Sequence, residues 1–155
     1  MNSLVVYYSK TGVCKTVAEN VSSILSCNTI ELQDNMNFKG IIGFMKSGHY
    51  SIKKKLVSIK PISVNLSEYD NILIISPIWA GYMTPTVRSF ITQYKADINN
   101  ADIIFTSAAG NNEKAFIDFK EYFNEANYIE FTKKNVQNNN YLTDLNRFLE
   151  NNKVN

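Results

Sequence analysis

Ser3-Leu4-Val5-Val6-Tyr7-Tyr8-Ser9-Lys10-Thr11-Gly12-Val13-Cys14-Lys15-Thr16 decides how the chain is read. Its first six residues form an unbroken apolar, β-branched and aromatic run. Without polar alternation, such a run is the pattern of a strand buried on both faces, as in a parallel sheet. The run stops at Ser9-Lys10-Thr11-Gly12. From Cys14 to Leu25, the apolar residues Val17, Val21, Ile24 and Leu25 then recur at helical spacing. A buried strand, a short polar loop and an amphipathic helix form the opening half of a β-α-β unit.

The same alternation continues outward from this stretch. Asn28 to Leu32 reads as a second strand. Ile72 to Ser76 reads as a third, stopping at Pro77, with a helix over Thr86 to Tyr94 and Pro85 at its first position. Ala101 to Ser107 is a fourth strand, Glu113 to Phe123 a helix, Tyr128 to Phe131 a last strand and Tyr141 to Leu149 a closing helix. The stretch from Phe38 to Leu56 is less regular. Ile41, Ile42, Met45, Ile52 and Leu56 fit one helical face, but Gly40, Gly43 and Gly48 each weaken a helix by up to about 1 kcal/mol relative to Ala. The expectation there is a broken helix, or a helix with a loop inside it. Strands alternating with helices imply one α/β domain over residues 1–155, a three-layer sandwich around a parallel sheet. Five strands in such a sheet can take the order 2-1-3-4-5, in which ligands bind outside the carboxyl ends where the winding reverses.

That rule selects three loops. In Ser9 to Cys14, backbone N–H groups at a helix start favour an anion, Ser9 and Thr11 add hydroxyl donors, and Gly12 lets the backbone curl close to a phosphate. An ordinary polar helix cap fits the same residues. The second loop, Ser76-Pro77-Ile78-Trp79-Ala80-Gly81-Tyr82-Met83-Thr84-Pro85, sets Trp79, Gly81 and Tyr82 between two prolines; a flat ring system can stack on either aromatic. In Ser107-Ala108-Ala109-Gly110-Asn111-Asn112 the small residues allow a close backbone approach to a ring edge, and amides near Ser107 and Gly110 could bond its carbonyls.

Tyr8-Ser9-Lys10-Thr11-Gly12 resembles the phosphate-binding loop of flavodoxins, a Ser/Thr-x-Ser/Thr-Gly-x-Thr pattern. Pro77-Ile78-Trp79-Ala80-Gly81 is similar to the isoalloxazine-binding loop of small flavodoxin-like proteins, and Arg88 and Phe90 extend that match. The segment Lys39 to Tyr50 also resembles a region that lies near the flavin edge in such proteins. Together the likeness runs from Leu4 to Leu149. It implies a flavodoxin-like fold and FMN as cofactor. The FMN phosphate would be held by Ser9, Lys10, Thr11, Gly12, Val13 and Cys14. The ring would be held by Pro77, Ile78, Trp79, Ala80, Gly81 and Tyr82, with Ser107 and Gly110 at its edge. Gly81 is the candidate for a peptide facing the flavin N5. The sequence departs from the pattern at Cys14, where a threonine is usual, and at Val13, where an asparagine is frequent; two side-chain donors are lost.

Composition bounds the rest. The chain has 155 residues, 45% apolar and 19% charged, with a net charge of +2. Lys53-Lys54-Lys55 is its only basic run, too sparse for a nucleic-acid stripe. Cys14 and Cys27 form no CxxC pair, and the single histidine, His49, lacks the companions of a metal site. No apolar stretch approaches the roughly 20 residues that span a bilayer. The expected setting is cytoplasmic, as a monomer or weak dimer without membrane or nucleic-acid partners. The reading favoured is an electron carrier that docks redox partner proteins or a small electron acceptor, with no catalytic side chain. A small FMN-dependent NAD(P)H or quinone oxidoreductase is the alternative, and a flavin-free binding or regulatory module a second. Cys14, at a helix start, is a candidate for a lowered thiol pKa.

Overall fold

The computed structural model describes residues 1–36 and 40–152. Five parallel strands form the sheet: β1 (Ser3–Tyr7), β2 (Asn28–Glu31), β3 (Asn71–Trp79), β5 (Ala101–Ser107) and β6 (Tyr128–Thr132). A two-residue strand, β4 (Tyr82–Met83), pairs antiparallel with the end of β3. The order across the sheet is β2-β1-β3-β5-β6. Leaving β4 aside, that is the 2-1-3-4-5 winding expected from the alternation. In register, Val5 stands opposite Thr29 on one side and Leu73 on the other, so β1 is central and buried along its length.

The period of two along each strand divides the core into two layers. Leu4, Val6 and Tyr8 face α3 (Pro85–Tyr94) and α4 (Glu113–Lys120), where Val87, Phe90 and Phe119 meet them. Val5 and Tyr7 face the opposite layer, with Val17 and Val21 of α1 (Val13–Leu25) and Leu145 of α6 (Leu142–Asn151). Thr84 caps α3 by accepting from the Val87 N–H, and Pro85 opens the helix, as its preset φ favours. A short helix, α5 (Lys133–Gln137), precedes α6 and was not foreseen. It starts at Thr132, whose side chain accepts from the Asn135 N–H.

Three expectations change. First, β3 does not stop at Pro77. It continues through Pro77, opposite Thr106 of β5, to Trp79. By then β1 has ended, so β3 has a free flank on which the missing proline N–H breaks no ladder bond. Second, the helix from Glu113 ends at Lys120 rather than Phe123. Third, α2 (Gly40–Ile52) is one unbroken helix, without an internal loop, and it buries its small residues rather than its apolar face. Gly43, Ser47 and Ser51 are buried, whereas Ile41, Ile42, Met45, Ile52 and Leu56 are all exposed. Size explains this choice of face. Among the described residues α2 packs on α3, the end of β3 and β4, and Gly43, Ser47 and Ser51 allow a closer approach than isoleucines would. Gly48 adds to this, because a Cβ there would sit 3.6 Å from the Ala80 Cβ. Phe38 and Lys39, the start of the sequence segment read as a helix, lie outside the described residues.

Candidate functional site

The loop after β1 and the β3–β4 hairpin meet at the carboxyl ends of the central strands. Between them is a cleft of about 470 Å³ lined by Ser9, Lys10, Thr11, Val13, Cys14, Gly40, Phe44, Ser47, Pro77, Trp79 and Thr106. This volume lies in the range of small-molecule sites. A larger depression of about 740 Å³ opens at the opposite end, around Asn71, Asn99, Asn100 and Asn127. It lies at the amino ends of the strands, away from the winding reversal where open α/β sheets take ligands.

One wall is the start of α1. Its N-cap is Gly12, at φ 89°, which has no side chain of its own to cap the helix. Gly12 supplies the left-handed turn that brings the chain into the helix, and a residue with a Cβ would be strained there. The Lys15 N–H bonds the Ser9 Oγ at 3.2 Å, which leaves the Ser9 hydroxyl hydrogen free to donate. A helix start whose N-cap residue has no side chain, facing a cleft with hydroxyls beside it, suits an anion.

Cys14 forms the floor. It is 2% exposed and its Sγ lies 3.1 Å from the Thr106 Oγ1. Burial pushes the thiol up to about 12, with the Thr106 hydroxyl opposing only in part. The lowered pKa expected from its helix-start position is therefore overturned, because burial disfavours the charged thiolate.

The opposite wall is the hairpin. Ala80 at φ 51° and Gly81 at φ 84° form its two-residue turn. Positive φ at both positions is the type I′ geometry that matches strand twist. Trp79 pairs with Tyr82 across it, so Ile78, Ala80, Gly81 and Tyr82 shape the hairpin while Pro77 and Trp79 line the cleft. Tyr8 meets the Trp79 ring edge-on at 5.8 Å and 76°, and the Lys10 Nζ lies 5.3 Å from its centroid. Thr86 donates to the Asp34 Oδ2 at 2.5 Å. Burial, then Asp34, raises the Tyr8 pKa, and this network anchors the ring against which Trp79 leans. Desolvation lowers the Lys10 pKa, opposed by Asp34.

The third loop is organised differently. The Ser107 hydroxyl donates to Glu130 Oε1 at 2.5 Å and accepts from the Gly110 N–H at 2.9 Å. The Asn112 N–H and Nδ2 also donate to Glu130. Neither Ser107 nor Gly110 lines the cleft; Gly110 borders a separate depression with Tyr128, Glu130 and Thr132.

The flavodoxin domain family matches residues 49–147. The chain belongs to the flavodoxin family. Among solved structures it is similar to a flavoprotein in complex with FMN from Lactobacillus acidophilus, at 23% identity over 90% of this chain and 97% of that one, with a TM-score of 0.71. It is also similar to the Trp repressor binding protein from Bacillus subtilis, at 12% identity over 92% and 95%, TM-score 0.57. A third is oxidised flavodoxin 1 from Bacillus cereus, at 12% identity over 97% and 98%, TM-score 0.50. No curated protein matches the chain. These structural likenesses speak for the fold.

Within this flavodoxin fold, sequence reasoning missed Thr106 and Glu130, and it named Phe44 and Ser47 only as part of the Lys39 to Tyr50 segment. Thr106 had a signal: it is a polar residue near the end of a buried strand, at the end of the sheet the winding rule selects. Glu130 had one only in hindsight, as an acceptor for the donors in Ser107 and Asn112. Phe44 and Ser47 had one in the Lys39 to Tyr50 segment, whose resemblance implied a place near the flavin edge, but which of its residues line the cleft followed only from the orientation of α2. His49 is exposed on α2 beside Tyr50 and does not line the cleft. Arg88 is 2% exposed and ion-paired to the equally buried Asp118, joining α3 to α4 rather than reaching the cleft. Among the described residues, no helix is long and apolar enough to cross a membrane.

Proposed function

We propose that the chain binds FMN in this cleft and works as an electron carrier. The observation that carries the reading is the pairing of two walls at the winding reversal: a helix start whose N-cap is a glycine, flanked by Ser9 and Thr11, opposite the Trp79 hairpin. A phosphate fits the first wall through orphan amides and hydroxyls. Trp79 and Phe44 both line the cleft and offer aromatic faces to a flat ring. The L. acidophilus flavoprotein, alike in fold and solved with FMN, supports the same ligand.

Bound FMN would supply one- and two-electron chemistry, and the protein would supply position and electrostatics. Ser9, Thr11 and the first α1 amides would hold the phosphate. The hairpin would present Trp79 and the Ala80–Gly81 peptide to the ring. Neutral Cys14 closes the floor without adding charge. Lys10, fixed over Trp79, places a positive charge beside the ring and favours an electron-rich ligand.

The test is the visible spectrum of the purified chain titrated with FMN. Binding at micromolar FMN with quenched fluorescence is expected, and absence of binding there refutes the reading. NAD(P)H oxidation by the loaded chain would replace the carrier by a reductase. Lys10→Gln is expected to make the potential of bound FMN more negative in a spectroelectrochemical titration.

A further inference from the structure

Helix α2 turns its large apolar residues to water. Ile41, Ile42, Phe44 and Met45 are between 69% and 83% exposed, and Ile52 and Leu56 are 51% and 55% exposed. Monomeric proteins seldom leave contiguous patches of this kind uncovered, and such patches usually mark interaction sites. The patch does not arise from a loosely held helix. Ser47 and Ser51 on the opposite face are fully buried, and the Ser47 hydroxyl donates to the Phe44 carbonyl at 2.7 Å.

Two further features say what covers it. The first is charge. Between Asp34 and Glu68 the sequence contains no acidic residue. Lys46, Lys53 and Lys55 are exposed beside the patch. The Nζ atoms of Lys46 and Lys55 lie 5.5 and 4.6 Å from the Tyr50 ring centroid, which holds both charges at its edge. Lys54 is engaged by Asp118 and Glu121, at 3.1 and 2.8 Å. Among the described residues Lys46, Lys53 and Lys55 form no ion pair. The second feature is continuity. Phe44 belongs to the patch and also lines the cleft, so whatever covers α2 stands at the mouth of the cleft.

We propose that the outer face of α2 docks a small acidic redox protein whose carboxylates surround an apolar centre, for electron exchange with the group in the adjoining cleft. This rests on the FMN reading above. A second copy of the chain is a poorer occupant, because a two-fold contact would set Lys46, Lys53 and Lys55 against their own images. An anionic bilayer matches the charge but gives no reason for the patch to share a wall with the cleft. In the exchange, each encounter oxidises one partner by one electron and adds that electron to the flavin. Full reduction therefore consumes two partner molecules and takes up two protons from solvent.

A reduced plant-type ferredoxin, an acidic one-electron donor, is the probe. FMN loading is first established from the visible spectrum, and flavin reduction is then followed by stopped flow at low and high salt. Attraction predicts a rate that falls about tenfold or more between roughly 20 and 300 mM salt. Lys46→Glu combined with Lys53→Glu is expected to remove that salt dependence and lower the low-salt rate about tenfold. Ile42→Ser is expected to weaken ferredoxin binding severalfold in calorimetry. Basic cytochrome c should show no attractive salt effect. Calorimetry on the unloaded chain tests the surface separately, so failure to load FMN would count against the cofactor and not against the docking face. A rate that is flat or rises with salt, or variants that behave as the parent, would overturn the proposal. So would a dimer abolished by Ile42→Ser, or binding to phosphatidylserine vesicles without binding to ferredoxin.

Discussion

Helices α1 and α2 have the same length, 13 residues each, and both reach the same cleft, yet they pack in opposite senses. In α1 the buried positions are Cys14, Val17, Ala18 and Val21; of the stripe that the spacing announces, Val17 and Val21 are buried, Leu25 is half-buried and Ile24 is exposed. In α2 the buried positions are Gly43, Ser47 and Ser51, and the apolar stripe faces water. Helical periodicity establishes that a helix has two unlike faces. Which face goes inward depends on the space available. Beneath α1 lies an apolar sheet surface, with Val5, Tyr7, Leu73 and Ile75, that rewards apolar side chains. Beneath α2 lie the hairpin and α3, at a distance only small residues permit.

The contrast can be broken by substitution. Val17→Asp places an unpaired charge in the core and is expected to cost about 4 kcal/mol or more, read as loss of the cooperative urea transition. The next largest effect is expected from Ser47→Leu. Although the new side chain is apolar, it overfills the small face of α2, and a destabilisation of up to about 3 kcal/mol should appear in chemical unfolding. A neutral or stabilising result would mean that α2 can turn its stripe inward.

Cys14 sharpens the α1 side. Its folded pKa is raised above the unfolded value, so its contribution is fully present below about pH 9 and is lost as pH rises toward 12. Between about pH 9 and 10.5 the parent should lose about 2 kcal/mol more stability than Cys14→Ala. Equal losses would place the thiol in water. The smallest effect is expected at Ile41→Ser. At 81% exposure this change should alter stability by no more than about 0.5 kcal/mol, whereas a loss comparable to that of a core isoleucine would show that α2 packs its stripe.

Much of the fold was legible because its signals are local. The run Ser3 to Tyr8 is too apolar for a one-sided strand, Pro85 marks a helix start, and the strand–helix alternation restricts the winding. The first loop and Trp79 were legible because the winding rule points to the carboxyl ends of the strands. The third loop was less so. Ser107 and Gly110 have suitable chemistry, but Glu130, 23 residues beyond Ser107, takes the Ser107 hydroxyl and the Asn112 donors. A partner that distant in sequence leaves no local trace. Cys14 shows the same limit: position at a helix start suggests a low pKa, while 2% exposure and Thr106, 92 residues away, set a high one.

The sequence by itself determined the five parallel strands, the helices α1, α3, α4 and α6, the winding and the end of the sheet where the cleft lies, because these follow from periodicity, turn chemistry and the handedness of β-α-β connections. Only the tertiary structure decided which face of α2 meets solvent, that β3 runs through Pro77 into a hairpin, and that Phe44 joins Trp79 at the cleft. Those outcomes depend on distances between segments far apart in the chain. There, close packing favours the residue that fits the gap over the one that is most apolar.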